Sequence, residues 1–268
     1  KVHGGVLYVV MGGEAGVVWD ERPAGQTPVG PLWGELRYGA ELTRLLTSRE
    51  YRSVERRADA PPALLIPGFM AGDPSLTVMR GWLRRRGHRV RMSGIRTNVA
   101  CAEVLVGRIE KRLRELADDA GEPVFLIGQS RGGALARAVA VRNPGSVAGL
   151  AMLGSPVADS LAVSNQVLRT VRWVAALGDV GVPGVFSSTC KDGACCAEFR
   201  AELAAPLPRG MRAMAVYSRS DGIVDWRACV DPRADAVEVE SSHCGMSVNV
   251  DVYKALDRAL DRALDLGR

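Results

Sequence analysis

Histidine is scarce in this 268-residue chain, which has 3, and aromatic residues make up only 5%. So few rings argue against binding single-stranded nucleic acid by base stacking. So few imidazoles also mean that a catalytic base has few places to be. Long apolar runs are missing too: the longest near the start, Val6 to Met11, is far below the roughly 20 residues of a spanning helix. It has neither the basic flank nor the small-residue cleavage site of a signal peptide. No repeat of solenoid or propeller length is present. The cysteines are Cys101, Cys190, Cys195, Cys196, Cys229 and Cys244, and the tight group at 190–196 lacks the CxxC spacing or nearby histidine of a zinc site. They read as buried thiols or as a local disulfide, and no metal or organic cofactor is expected.

What is present is ordinary for a soluble globular enzyme: 47% hydrophobic and 24% charged residues. The length suits one sizeable α/β domain. The net charge of 35 − 30 = +5 is spread along the chain and requires neither nucleic acid nor anionic lipid. The basic run Arg84 to Arg89 reads as a solvated helix end that complements the macrodipole. The chain begins at Lys1, so localisation stays open, with cytoplasmic the default and export compatible if a leader has been removed.

Short apolar runs alternate with amphipathic stretches. Strands are expected at 63–66, 88–92, 123–127, 147–153, 211–217 and 236–239, with helices at 32–50, 75–86, 102–117, 131–142 and 248–266. This alternation implies a mostly parallel sheet covered by helices on both faces. Gly and Pro steps from Pro23 to Pro31 read as loop. The stretch 156–210 breaks the rhythm and reads as a mostly helical insertion.

The sharpest signal is Gly128-Gln129-Ser130-Arg131-Gly132-Gly133. It follows the apolar run Val124 to Ile127 and opens a helix, the setting in which a G-x-S-x-G serine sits on a tight strand-to-helix turn. A nucleophilic serine needs a base. His3 is close to the chain start and His88 lies in the Arg-rich run, a solvated or strand-capping place. His243 follows the last expected strand, on the same sheet edge as Ser130, where open α/β sheets place their sites. The carboxylate that holds the imidazole is assigned to Asp221, just after the strand 211–217, with Asp225 the competitor. The order Ser…Asp…His is the one α/β-hydrolases use. The oxyanion donors are expected to be the backbone N–H groups of Arg131 and of Phe69, with Met70 as alternative to Phe69. Asn98 reads as a turn residue, and the Arg131 side chain as solvent-facing or salt-bridged.

With Leu65-Ile66-Pro67-Gly68-Phe69, the Ser130 turn, Tyr217-Ser218-Arg219-Ser220-Asp221-Gly222 and Ser242-His243-Cys244-Gly245 all in place, the chain resembles the α/β-hydrolase superfamily. Within it, the chain is most similar to bacterial lipases and esterases. The resemblance spans residues 60 to 266 and implies the α/β-hydrolase fold, with a core of 61–155 and 211–268. It also implies that the insertion 156–210 forms a cap over the acyl site, where Val167, Leu168, Val171, Trp173, Val174 and Leu177 could line an acyl chain. Residues 1–60 are expected as an extension with a helix packed on that core. Pro67 and Gln129 stand where many relatives carry histidine, which leaves the triad intact but obscures the substrate. The expected activity is hydrolysis of carboxylic esters of a small or lipid-like acyl substrate through an acyl-enzyme on Ser130. Acyl transfer, thioester hydrolysis or cyclisation by the same triad is the alternative, and a catalytically idle binding protein the third reading. No nucleic-acid partner and no integral membrane segment are expected.

Overall fold

The computed structural model describes residues 6–11, 14–19 and 32–264. His3, the Pro23 to Pro31 loop and the last two positions of the 248–266 helix lie outside the described residues. Two strands, β1 (Val6–Met11) and β2 (Glu14–Trp19), pair antiparallel as a hairpin that the apolar pattern alone does not assign.

The main sheet has six strands: β3 (Ala63–Ile66), β4 (Val90–Met92), β5 (Val124–Gln129), β6 (Val147–Leu153), β7 (Ala213–Tyr217) and β8 (Asp235–Glu238). Their order is β4-β3-β5-β6-β7-β8, and every pair is parallel. The order therefore reverses direction between β3 and β5, the switch point at which open α/β sheets form their crevice. Register aligns the strand ends: Ile66 lies opposite Gly128, Gln129 opposite Leu153, and Leu153 opposite Val216. The loops that follow these strands consequently emerge along one edge.

Side chains alternate across the sheet as a strand period of two requires. Leu64, Ile66 and Leu126 face a core layer built with α4 (Ala102–Ala120) and α5 (Arg131–Arg142). Leu65, Phe125 and Ile127 face the opposite layer, built with α1 (Tyr38–Thr47), α3 (Thr77–Arg85) and α8 (Val250–Leu264). Fully buried side chains such as Leu105, Ile109 and Leu113 each contribute about 2 kcal/mol of transfer free energy. Between β6 and β7 the chain forms α6 (Asn165–Asp179) and α7 (Ala197–Ala204), separated by two short 3-10 turns.

Four local expectations need correction. The 32–50 helix is divided: a 3-10 turn over Leu32–Arg37 leads into α1, and a second short helix, α2 (Arg49–Arg52), starts where Ser48 adopts extended backbone and its Oγ accepts from the Tyr51 N–H. Leu36 is 85% exposed and Leu46 39%, whereas Leu45 is fully buried, so only some leucines of this segment face the core. The Arg84 to Arg89 run is solvated at Arg84, Arg85 and Arg89, the first two in the last turn of α3, but Arg86 is buried and pairs with Asp257 and Asp261 of α8. His88 is buried as well, its Nδ1 on the Pro61 carbonyl at 2.7 Å, and burial holds its pKa down at about 4.

Candidate active site

The turn at Ser130 is built by steric necessity. Ser130 leaves β5 with φ 52°, ψ −127°, and its N–H donates to the Leu153 carbonyl at 2.7 Å. A side chain at Gly128 would run into the backbone of Gly132 and Gly133, and one at Gly132 into the carbonyls of Ile66 and Pro67. Only glycine lets α5 start this close to β3 and β5. The positive end of the α5 dipole then lies beneath the serine hydroxyl.

Among the described residues, Ser130 and Met70 (φ 57°) are the only non-glycine residues with positive φ. Both lie on the two loops at the switch point. In the loop after β3, the Met70 N–H donates to the Asn98 carbonyl at 3.3 Å, whereas the Phe69 N–H has no partner among the described residues. That leaves the Phe69 amide free to donate to a ligand and commits Met70's.

Asn98 does more than turn the chain. Fully buried, it donates from Nδ2 to the Pro67 carbonyl at 2.8 Å and accepts at Oδ1 from Arg131 Nη1 at 2.7 Å. The Arg131 guanidinium also donates to the carbonyls of Asn98 and Ala100, and burial pushes its pKa down to about 10. Its guanidinium is therefore held by carbonyl oxygens, with no carboxylate on it among the described residues. Asn98 and Arg131 together tie the Phe69 loop to the first residue of α5.

His243 lies in the loop after β8 and is buried. Its Nδ1 is 2.7 Å from Asp221 Oδ2, which leaves Nε2 as its other hydrogen-bonding atom. Asp221, 2% exposed, accepts at Oδ1 from the N–H groups of Ile223 and Val224, both at 2.8 Å. Asp225, the sequence competitor, accepts from the Arg227 N–H and pairs with its guanidinium. Burial alone would lower the His243 pKa. The Asp221 charge and hydrogen bond, together with the Glu35 charge, more than offset it, and the net pKa is raised.

Two acidic residues that sequence reasoning missed hold this loop. Glu35 accepts from the N–H groups of His243 at 2.9 Å, Cys244 at 3.0 Å and Gly222 at 3.2 Å, so one carboxylate bridges the His243 loop and the Asp221 loop. Glu41, on α1, accepts from the Ser242 N–H and hydroxyl at 2.8 and 2.7 Å. Gln129 Nε2 donates to the His243 carbonyl at 3.2 Å from the other side. Glu35 is 208 positions from His243, and no local pattern marks it. Cys244, beside His243, is exposed as a residue, yet desolvation of its thiol, then the Glu35 charge, push it up to about 11, so it stays protonated near neutrality.

Replacing Glu35 with Gln is expected to leave at least one of its three amides without an acceptor, at about 1–3 kcal/mol of stability. If neutral His243 is the base for Ser130, loss of the Glu35 charge, which raises the His243 pKa, should move the acidic limb of kcat/KM to lower pH. A loss in kcat of about tenfold should accompany the shift, since small misplacements of a base are costly. A pH–rate profile of E35Q that superimposes on wild type would refute this role.

Ser130, His243, Gly68, Phe69 and Arg131 all line one cavity of about 740 Å³. Its remaining wall comes largely from 156–210 and includes Val167, Leu168, Val171, Phe186, Phe199 and Leu203. Of the six side chains expected there, Val167, Leu168 and Val171 face the cavity. Trp173 is instead 63% exposed, Val174 is buried in packing, and Leu177 is not among the cavity's lining residues.

The profile of a family described as serine aminopeptidase, S33, matches residues 79–191. That span contains Ser130 and stops short of Asp221 and His243. No curated protein matches the chain in sequence. Among solved structures, the mature lipase BlEst2 of Bacillus licheniformis is 13% identical, with a TM-score of 0.53, over 77% of this chain and 94% of that one. A soluble variant of the Saccharomyces cerevisiae monoglyceride lipase, solved with a substrate analogue, is 14% identical with a TM-score of 0.54, covering 80% and 89%. The mouse alpha/beta hydrolase domain-containing protein 10 is 22% identical with a TM-score of 0.51, covering 78% and 91%.

Proposed function

We propose, from the α/β-hydrolase fold and the family match over residues 79–191, that the chain is a serine hydrolase of the α/β-hydrolase superfamily that cleaves carboxylic esters. The observation that carries the proposal is the meeting of Ser130 and His243 on the wall of one largely apolar cavity, with Asp221 on the far nitrogen of His243. His243 Nε2 takes the Ser130 proton as the hydroxyl attacks the ester carbon. The tetrahedral oxyanion is held by the N–H groups of Phe69 and Arg131, one from each loop of the switch point. His243 then protonates the leaving alcohol, and water repeats the attack to release the acid and restore Ser130. Asp221 fixes the tautomer and stabilises the imidazolium. The insertion 156–210 acts as the cap, and its apolar wall receives the acyl chain.

A fluorophosphonate probe followed by a panel of esters tests this reading. Expected are stoichiometric labelling at Ser130 and turnover that rises from acetyl esters to longer acyl chains, which bury more apolar surface against Val167, Leu168 and Phe199. Absence of labelling would overturn the proposal in favour of an idle binding protein. Labelling accompanied by acyl transfer to an added alcohol or amine, without free acid, would make the chain a transferase.

A further inference from the structure

Four cysteines far apart in sequence meet beside this cavity. Cys101 stands immediately before α4. Cys190 closes one 3-10 turn, and Cys195 and Cys196 lie in the next, just ahead of α7. All four sulfur atoms lie within 4.8 Å of one another. The resolved separations are 3.2 Å for Cys101 to Cys196, 3.7 Å for Cys190 to Cys195 and 3.9 Å for Cys195 to Cys196. A tetrahedral tetrathiolate with zinc–sulfur bonds of about 2.3 Å needs sulfurs about 3.8 Å apart.

Positive groups surround the cluster: the N-terminus of α4 and the side chains of Arg131 and Arg200. Cys101 stands at the N-terminus of α4, and the Cys196 sulfur lies 3.2 Å from its own. The N-terminus of a helix favours thiolate over thiol. The Arg131 guanidinium, on the same cavity wall as Cys190 and Cys196, has no carboxylate partner among the described residues. Arg200 spends its guanidinium on the carbonyls of Cys190, Lys191, Asp192 and Gly193, again with no carboxylate, and so holds the turn that returns Cys195 and Cys196 to Cys190. Two disulfides would be neutral and would need neither cation nor helix terminus. Four thiolates around a divalent ion carry a net double negative charge, which these groups offset.

We propose that Cys101, Cys190, Cys195 and Cys196 bind one zinc-class divalent cation as a structural tetrathiolate, each thiol releasing its proton to solvent on binding. The site fastens the segment carrying Phe186, Cys190, Phe199 and Leu203 to the start of α4 and so fixes one wall of the cavity. It stands independently of the reaction proposed at Ser130.

The test is elemental analysis of the full chain, expressed with zinc and purified without chelator or oxidant. About one zinc per chain is expected, and exchange to cobalt should give thiolate-to-cobalt charge-transfer bands with the visible bands of a tetrahedral ion. Cys101→Ser and Cys195→Ser should each lower the metal content at least about tenfold, whereas Cys229→Ala, remote from the cluster, should leave it unchanged. Should the serine variants fail to fold, the cobalt spectrum and the count of alkylatable thiols in the wild-type chain still decide. Non-reducing mass spectrometry that finds Cys101 bonded to Cys196 and Cys190 to Cys195 would overturn the proposal. So would four freely alkylated thiols after incubation with zinc.

Discussion

Replacing Ser130 with alanine is expected to lower kcat for ester hydrolysis by at least about 10⁴-fold, with KM little changed and fluorophosphonate labelling abolished. The expectation follows from position: Ser130 is the hydroxyl at the strand-to-helix turn where the dipole of α5, the Phe69 amide and the His243 imidazole converge on one cavity. Circular dichroism and the urea midpoint should stay close to wild type, because the hydroxyl donates no hydrogen bond that holds the turn together. A second substitution separates function from strain. With φ at 52°, Ser130 occupies backbone that disfavours any side chain by about 1–3 kcal/mol. Ser130→Gly should therefore be as inactive as Ser130→Ala, yet more resistant to urea by about 1 kcal/mol. An S130A variant with full activity would remove the mechanism, and an S130G variant no more stable than S130A would remove the argument from strain.

The parts of this architecture that a sequence reveals are those dictated by neighbours along the chain. The strand over 147–153 and the helix over 131–142 have the limits expected from sequence, because Asn143-Pro144-Gly145 stops one and starts the other. The Ser130 turn is legible for the same reason: its glycines answer to clashes within a few residues of each other. Asp221 and His243 are legible because a parallel sheet sends every strand-end loop to one edge, so chain order translates into spatial proximity.

What the sequence hides is whatever depends on an approach between distant segments. Glu35 and Glu41 look like ordinary solvent-facing acids of a helix, and only the seating of 32–47 on the His243 loop turns them into acceptors for its amides. Cys101 gives no spacing signal with Cys196, 95 positions away, although α4 begins where the second 3-10 turn ends. Arg86 and His88 carry the composition of a surface run, but α8 brings Asp257 and Asp261 over Arg86. Periodicity describes one element at a time, and these contacts belong to pairs of elements.

The Asp221 carboxylate offers the second large effect, and the structure fixes the reason. Asp221 Oδ1 accepts from two backbone amides, Ile223 and Val224, so an asparagine placed there must present its carbonyl oxygen to them. Its NH₂ group is then forced toward His243 Nδ1, where Oδ2 stood at 2.7 Å. An amide can only donate in that direction, so Nδ1 must accept and the ring proton must move to Nε2. The imidazole then meets Ser130 with a proton rather than a lone pair and cannot serve as its base. Asp221→Asn is therefore expected to cost about 10⁴ in kcat while the loop geometry and stability persist. Losing the Asp221 charge also removes the main group that raises the His243 pKa, so burial should prevail and any residual activity should have its acidic limb at lower pH. Asp225→Asn, which disturbs only the Arg227 contacts, should stay within about tenfold of wild type. A D221N enzyme as active as D225N, with an unmoved pH profile, would mean that His243 is held in its working tautomer by something other than Asp221.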